Sequence, residues 1–349
     1  MPQPRYALRA LLLFAALYVH PPVLAAEHPH ILYITVDDLG WKDVGYHGST
    51  VQTPTIDRLA TAGARLEQFY VQPFASQTRA AVLTGRYPMR YGFQTMQVQW
   101  NSQFGIPADE RLLPKALQEA GYRSELIGTW RLGRARKEMR PTHRGFDHFY
   151  GHLSGEIDYF KKTDRGGEPD WWQDDKPLRE HGYATSLLAR HAVQTIARHE
   201  PQVPLFLWLA FAAPQAPHQA PPQFLERYED IHDPDRRAYR AMISAVDDAI
   251  AEVLTALEKR GMLADTLILF HSTTGGALPT KYPIGEGDTR SEAASNGPYR
   301  NGKGSLYEGG LRGVAFAVWP EHIQAAVVGE LIHVVDLYPT LLGLVGVKV

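Results

Sequence analysis

The sequence predicts an α/β fold in which a central, mostly parallel sheet lies between helical layers, and three observations support this prediction. Short apolar runs such as residues 30–36 (HILYITV) and 205–211 (LFLWLAF) are continuous rather than alternating, as in strands buried on both faces. The segments between such runs have the periodicity of amphipathic helices. Finally, 44% of the residues are hydrophobic and 21% are charged, which is typical of globular proteins and not of disordered or collagen-like chains.

The N-terminus has the pattern of a secretory signal peptide. Arg5 and Arg9 precede an apolar run at residues 10–19, and residues 23–25 (VLA) supply small side chains near a cleavage point. A membrane anchor would need about 20 apolar residues, and the two prolines at residues 21–22 interrupt this run. We therefore predict that residues 1–25 direct export. Residues 26–349 would form one domain, without a membrane span, in the periplasm or outside the cell.

The other elements follow from the same patterns. The clearest helix covers residues 241–259, where apolar residues recur at spacings of three and four and Gly261 follows the end. Residues 161–182 are polar and rich in turn formers, so we expect a surface excursion there. The remaining predicted elements are strands at residues 30–36, 205–211, 266–271 and 314–319, helices at 55–70, 113–120 and 185–199, and a loop that enters a short helix at 75–86.

Charge and cysteine content exclude several classes of function. The 36 Lys and Arg residues and 38 Asp and Glu residues give a formal net charge of −2. The protein therefore has no net positive charge to attract nucleic acid, which disfavours a nucleic-acid partner. The chain has no cysteine, which excludes disulfides, thiolate metal sites and cysteine nucleophiles.

Two polar segments carry candidate chemistry. Asp37 and Asp38 directly follow the first strand, at the edge of the sheet where α/β proteins place their ligands, and clustered carboxylates suit hard cations such as Ca²⁺. The alternative is a turn-capping aspartate beside a solvated one. Arg79 lies near the start of a predicted helix, a natural seat for an oxyanion, although a surface arginine fits the same pattern.

Seven segments resemble motifs of the type I sulfatases, which belong to the alkaline phosphatase superfamily, and they occur in the same order as in that family. The resemblance covers the chain from about His30 to the C-terminus and implies an α/β alkaline phosphatase-like sandwich. The segments are residues 31–49 (ILYITVDDLGWKDVGYHGS), 53–63 (TPTIDRLATAG), 78–92 (TRAAVLTGRYPMRYG), 121–133 (GYRSELIGTWRLG), 209–221 (LAFAAPQAPHQAP), 296–312 (NGPYRNGKGSLYEGGLR) and 333–342 (HVVDLYPTLL).

The resemblance also implies a set of chemical positions. In that family a cysteine becomes formylglycine, whose hydrate attacks sulfur while Ca²⁺, Arg and Lys balance the sulfate charge. By this resemblance Asp37 and Asp38 are metal ligands, Arg79 lies beside the nucleophile and Lys303 belongs to the last motif. The family usually continues into a small C-terminal sheet that is absent from residues 26–349, so we expect apolar surface around residues 341–345 to be left uncovered.

Six of the ten chemical positions carry a different residue in this chain. Ala75 stands at the nucleophile position, and its methyl group cannot be converted to an aldehyde. Gln77 stands where the family has a proline two residues after the nucleophile. Losing a nucleophile together with its bases removes groups that act as a unit. The replaced positions are Ala75 for the cysteine, Thr129 for a lysine, Arg131 and Gln215 for two histidines, and Thr273 and Thr274 for the Asp-Asn metal pair.

Three functions stay open at this stage. The first is a sulfatase-family protein without turnover and without a tight calcium ion; the second is a non-hydrolytic binder of a sulfated small molecule or glycan. The third is an active arylsulfatase with an unassigned nucleophile, for which Ser76 and Thr78 are displaced from the required position. Arg131 either pairs with Asp37 or Asp38, as a fixed cation in place of calcium, or turns to solvent. For His218 we expect an exposed loop position.

Overall fold

The computed structural model describes residues 28–94, 98–279 and 293–349, so the predicted signal peptide lies outside the described residues. It confirms the predicted α/β fold, a mixed sheet with helices on both faces. The strands are β1 His30–Val36, β2 Ala64–Leu66, β3 Phe69–Tyr70, β4 Arg123–Thr129, β5 His148–His152, β6 Trp172–Gln173, β7 Lys176–Pro177, β8 Leu205–Phe211, β9 Thr266–Ser272, β10 Ala315–Val318, β11 Ala326–Val328 and β12 Ile332–His333. The helices are α1 Pro54–Ala62, α2 Ala75–Thr84, α3 Leu113–Leu117, α4 Ala184–Arg198, α5 Pro222–Leu225, α6 Pro234–Lys259, α7 Glu308–Leu311 and α8 Leu337–Leu344.

The main sheet has the strand order β11-β2-β10-β9-β1-β8-β4-β5-β6-β7. Its five central strands, from β9 to β5, are mutually parallel, and β10, β6 and β7 join it through antiparallel pairs. Because parallel strands place their carboxyl ends at one edge, the residues after β1, β4, β5, β8 and β9 converge there. A second, two-stranded sheet pairs β3 with β12.

Both faces of the central strands are buried, which explains their continuous hydrophobicity. In β1, Leu32 and Ile34 face one apolar cluster while Ile31 and Tyr33 face another. Helices α1, α4 and α6 cover the first face, and α2, α3 and α8 cover the second. The sheet is therefore the middle layer of a sandwich, as predicted.

Helix α6 begins at Pro234, seven residues before the predicted start. Asp233 caps it, because its side chain accepts a hydrogen bond from the backbone N–H of Arg236, and proline suits the first helical position. The prediction missed this first part because its apolar positions are sparse.

One further prediction was wrong, and another holds only in part. The helix predicted over residues 55–70 ends at Ala62, because Gly63 packs against the carbonyl of Ala317 and the chain then pairs with β10 as β2. The excursion at residues 161–182 is also not confined to the surface. It contributes β6 and β7 to the sheet and buries Asp170, which accepts hydrogen bonds from the backbone N–H groups of Leu153 and Ser154.

The C-terminal segment is better covered than expected. Leu341, Leu342 and Val345 pack into the second apolar cluster through α8, while Leu344 is exposed. Across the residues that the structure describes, no helix combines the length and apolar character needed to cross a membrane.

Candidate active site

The predicted site residues meet at the carboxyl edge of the central sheet. Asp37 and Asp38 follow β1, Thr129 ends β4, and Thr273 and Thr274 follow β9. Strand order places β9 directly beside β1, and β4 on the far side of β8, so these side chains come from one central part of the sheet. The structure thus brings together positions that are far apart in the sequence.

Asp37 is the most enclosed carboxylate of the site. Its Oδ1 accepts hydrogen bonds from Arg79 Nη1 at 2.7 Å and from Thr273 Oγ1 at 2.5 Å, and its Oδ2 lies 3.6 Å from Arg131 Nη1. Burial opposes ionisation, but Arg79 and Arg131 outweigh it, so the pKa of Asp37 lies below its ordinary value. Asp37 is therefore a buried anion held by two guanidinium groups.

Asp38 is paired through different residues. Lys303 Nζ donates to its Oδ2 at 2.7 Å, and Thr274 Oγ1 donates to its Oδ1 at 3.1 Å. Its backbone is left-handed, with φ of 57°, so the chain turns sharply as it leaves β1 and the two aspartates point to different partners. Tyr239 of α6 secures this turn by donating to the backbone carbonyl of Asp38 at 3.0 Å.

Arg131 turns inward, which decides between the two alternatives for this residue. Its side chain is 1% exposed, and besides Asp37 it contacts Gln215, whose Oε1 accepts from Nη1 at 2.9 Å. The prediction for His218 was wrong, because its side chain is only 6% exposed and lies 3.8 Å from Asp235. Burial lowers the pKa of His218.

Helix α2 presents Ala75 at its first position, and its ten residues are all buried. The hydroxyls near Ala75 are engaged elsewhere. Ser76 Oγ accepts from the backbone N–H of Val98 at 3.3 Å, and Thr78 Oγ1 donates to the carbonyl of Thr273 at 2.7 Å. Gln77 donates to the backbone carbonyl of Gln94.

Sequence reasoning missed His152, which lies beside the site at the end of β5. Its Nδ1 lies 2.8 Å from the carbonyl of Ser154 and carries the proton, so its Nε2 accepts from Thr129 Oγ1 at 2.9 Å. Burial lowers the pKa of His152 to about 4, so the ring is neutral near pH 7. No sequence motif marked His152, because β5 was not predicted; the pairing of Thr129 with His152 is visible only in the register of β4 and β5.

The buried polar atoms of the site without a hydrogen-bond partner include Asp37 Oδ2, Arg79 Nη2 and Gln215 Nε2, of which the last two are donors. Unpaired buried donors are rare in proteins and mark places where a water or a ligand is expected.

The oxygen ligands that the site offers are a poor match to a calcium ion. Calcium takes six to eight oxygen ligands, whereas Asp37 and Asp38 already face Arg79, Arg131 and Lys303. Within residues 28–94, 98–279 and 293–349, no group of three or more His, Asp or Glu side chains is placed to hold a metal.

Sequence comparison gives a family match for nearly the whole described chain. The Sulfatase family matches residues 29–347. Arylsulfatase J of Mus musculus is 38% identical over 91% of this chain and 52% of its own length, and N-acetylgalactosamine-6-sulfatase of Mus musculus is 34% identical over 93% and 64%. The chain thus spans about half to two thirds of the length of these curated relatives.

Solved structures agree with the sequence matches. The crystal structure of Ps i-CgsB superposes with a TM-score of 0.85 at 35% identity, covering 93% of this chain and 73% of that chain. The same protein in complex with k-i-k-neocarrahexaose gives a TM-score of 0.84 at 34% identity, with the same coverage. The shared motifs, the sandwich fold and these matches show that the chain belongs to the sulfatase family.

Proposed function

We propose that this chain is a sulfatase-family protein that does not hydrolyse sulfate esters. The observation that carries the proposal is Ala75, which is fully buried at the start of α2 and offers a methyl group where the family has its nucleophile. Thr129, Arg131 and Gln215 stand at the positions of a lysine and two histidines, so the groups for binding and proton transfer are changed as well.

The neighbouring hydroxyls do not supply a clear replacement. Ser76 and Thr78 are committed to hydrogen bonds with Val98 and Thr273. The hydroxyl of Thr129 lies beside the neutral imidazole of His152, so this pair is the strongest alternative candidate for a nucleophile with its general base. Both Thr129 and His152 are completely buried, which opposes this role.

A second candidate function is the binding of a sulfated glycan without hydrolysis. The unpaired donors Arg79 Nη2 and Gln215 Nε2 favour it, because a sulfate oxygen can accept from both kinds of group. The complex of the similar Ps i-CgsB with a neocarrahexaose supports a glycan as the ligand class. We place this role outside the cytoplasm, on the strength of the signal-peptide pattern.

Release of a chromophore from an aryl sulfate by the purified chain tests the main proposal. We expect no release above that of a heat-denatured sample. The proposal would be contradicted if the wild type released chromophore, if Arg79→Gln or Thr129→Val abolished that release, and if the surface control Arg58→Gln kept it. Such a result would show that this site hydrolyses the ester.

Protection from thermal unfolding tests the second candidate. A sulfated oligosaccharide should raise Tm more than the unsulfated sugar or chloride at equal ionic strength, and Arg79→Gln should abolish the difference. Equal shifts from all three additives would exclude specific binding.

A further inference from the structure

We infer that Arg131 has taken over the charge-balancing role of calcium as a permanent counter-charge of Asp37, beside Lys303, which pairs with Asp38. The inference rests on the proposed function for one point, the assignment of the two aspartates as former metal ligands. It adds that the charges of the two aspartates are balanced without a metal ion.

The contacts of the two aspartates support this role directly. Lys303 Nζ lies 2.7 Å from Asp38 Oδ2, and the two side chains are 7% and 4% exposed. Arg131 Nη1 lies 3.6 Å from Asp37 Oδ2, while Arg79 Nη1 contacts the other oxygen at 2.7 Å. Buried carboxylates are costly without such partners, so a fold that lacks the metal needs these cations.

Four of the six replaced positions take part in one network. The hydroxyls of Thr273 and Thr274 donate hydrogen bonds to Asp37 and Asp38. The family has an aspartate and an asparagine at the positions of these two threonines. These threonines remove a negative charge that would otherwise need a cation. Arg131 adds a positive charge at the same place, and Gln215 fixes it with a 2.9 Å hydrogen bond. The substitutions are therefore chemically consistent with one another.

Binding of calcium to this arrangement would be opposed for two reasons. Arg131 adds a positive charge to a site that already holds Arg79 and Lys303, and this charge would repel a divalent ion at short range. The buried Arg131 side chain would also have to leave its contacts with Asp37 and Gln215. Removing Arg131 should reverse both effects and restore a calcium response.

Thermal unfolding of the purified chain, in calcium and in chelator at matched ionic strength, tests the inference. The wild type should have the same Tm in both. Arg131→Met, which keeps the length of the stem without its charge, should lose on the order of 5 °C or more in chelator, because it leaves a buried carboxylate underpaired. Calcium should return part of that loss by binding the folded state.

Arg134→Met is the matched control. Arg134 Nη1 contacts Asp164 Oδ2 at 2.6 Å, so this variant also strips a cation from a buried carboxylate, but from one other than Asp37 and Asp38. It should lose stability without any response to calcium. If calcium rescues both variants equally, or raises Tm of the wild type, the inference is wrong.

A second variant covers the case in which Arg131→Met does not fold. Arg131→His with Thr273→Asp and Thr274→Asn carries the residues that the family has at these positions, and it should bind one calcium ion in calorimetry while the wild type binds none. Absence of binding to this variant would overturn the inference. Neither readout requires turnover, so calcium binding by an inactive wild type would refute only this inference, and calcium-independent hydrolysis would refute only the proposed function.

Discussion

At the scale of single residues, the site is built from buried ion pairs. Asp37 shows this most clearly, since two arginines and one threonine hold it although it is fully buried. The sequence predicted which residues would be found here, through the family motifs. It left the orientation of Arg131 open, because a side chain of that length reaches either solvent or the aspartates. It missed His152 because no motif marked the strand that carries it.

Thr273→Val tests the hydroxyl support of Asp37. The 2.5 Å hydrogen bond to a charged group is expected to contribute about 1.5–3 kcal/mol to the free energy of unfolding. Urea unfolding should show a loss of this size, whereas Thr61→Val should change stability by less than about 0.5 kcal/mol, because Thr61 is exposed and donates to a helix carbonyl. Equal losses in the two variants would mean that Asp37 does not depend on Thr273.

At the scale of elements, continuous apolar strands were the most predictable feature. The bounds of β1 and β8 agree with the prediction because both faces of each strand are buried and most of their residues are apolar. Short strands near the ends of the sheet, such as β2 and β6, were not predictable, because pairing with a distant strand decides them rather than local pattern. The predicted end of α1 was wrong for the same reason, because the residues after Ala62 pair with a distant strand.

Asp247 couples two helices and gives an element-scale prediction. This buried residue of α6 accepts hydrogen bonds from the backbone N–H groups of Thr55 and Ile56 at 3.0 and 2.8 Å, and so caps the start of α1. Asp247→Ala should cost about 2–4 kcal/mol in urea unfolding, because two buried donors lose their acceptor. Its neighbour Asp248 pairs with Arg227 at the surface, so Asp248→Ala should cost less than about 1 kcal/mol. A reversed order would exclude the capping role.

At the scale of the whole molecule, the fold class followed from composition and periodicity, while the site required the topology. Asp37 and Thr273 are far apart along the chain and meet only because β1 and β9 are neighbours in the sheet. The sequence patterns do not specify that strand order, and the family resemblance implied only a mostly parallel central sheet. The structure supplied the order and showed how the replaced residues contact one another.

Buried histidines give the whole molecule an acid-sensitive stability. Burial lowers the pKa of each of four histidines to about 4, below the ordinary value of 6.5. A lowered pKa in the folded state means that unfolding takes up protons, so stability is complete above pH 6.5 and is lost as pH falls towards 4. The histidines are His30, His152, His191 and His271.

Urea midpoints measured across this range check the prediction. Each fully buried histidine should contribute a loss of roughly 1 kcal/mol per pH unit below 6.5. Asp37 adds to the acid lability, since its lowered pKa gives stability above pH 3.8 that is lost as pH falls through the folded-state value. A midpoint that stays constant between about pH 7 and pH 5 would contradict the assignment of neutral buried rings.

The most direct test of the central claim is aryl sulfate hydrolysis by a chain restored at all six replaced positions, measured beside the wild type with calcium present. The restored chain carries Ala75→Cys, Thr129→Lys, Arg131→His, Gln215→His, Thr273→Asp and Thr274→Asn, and is produced in cells that convert the cysteine to formylglycine; a companion also carries Gln77→Pro. Our account predicts turnover by a restored chain and none by the wild type. Comparable turnover by the wild type would contradict it and would direct the search for a nucleophile to Thr129 and His152.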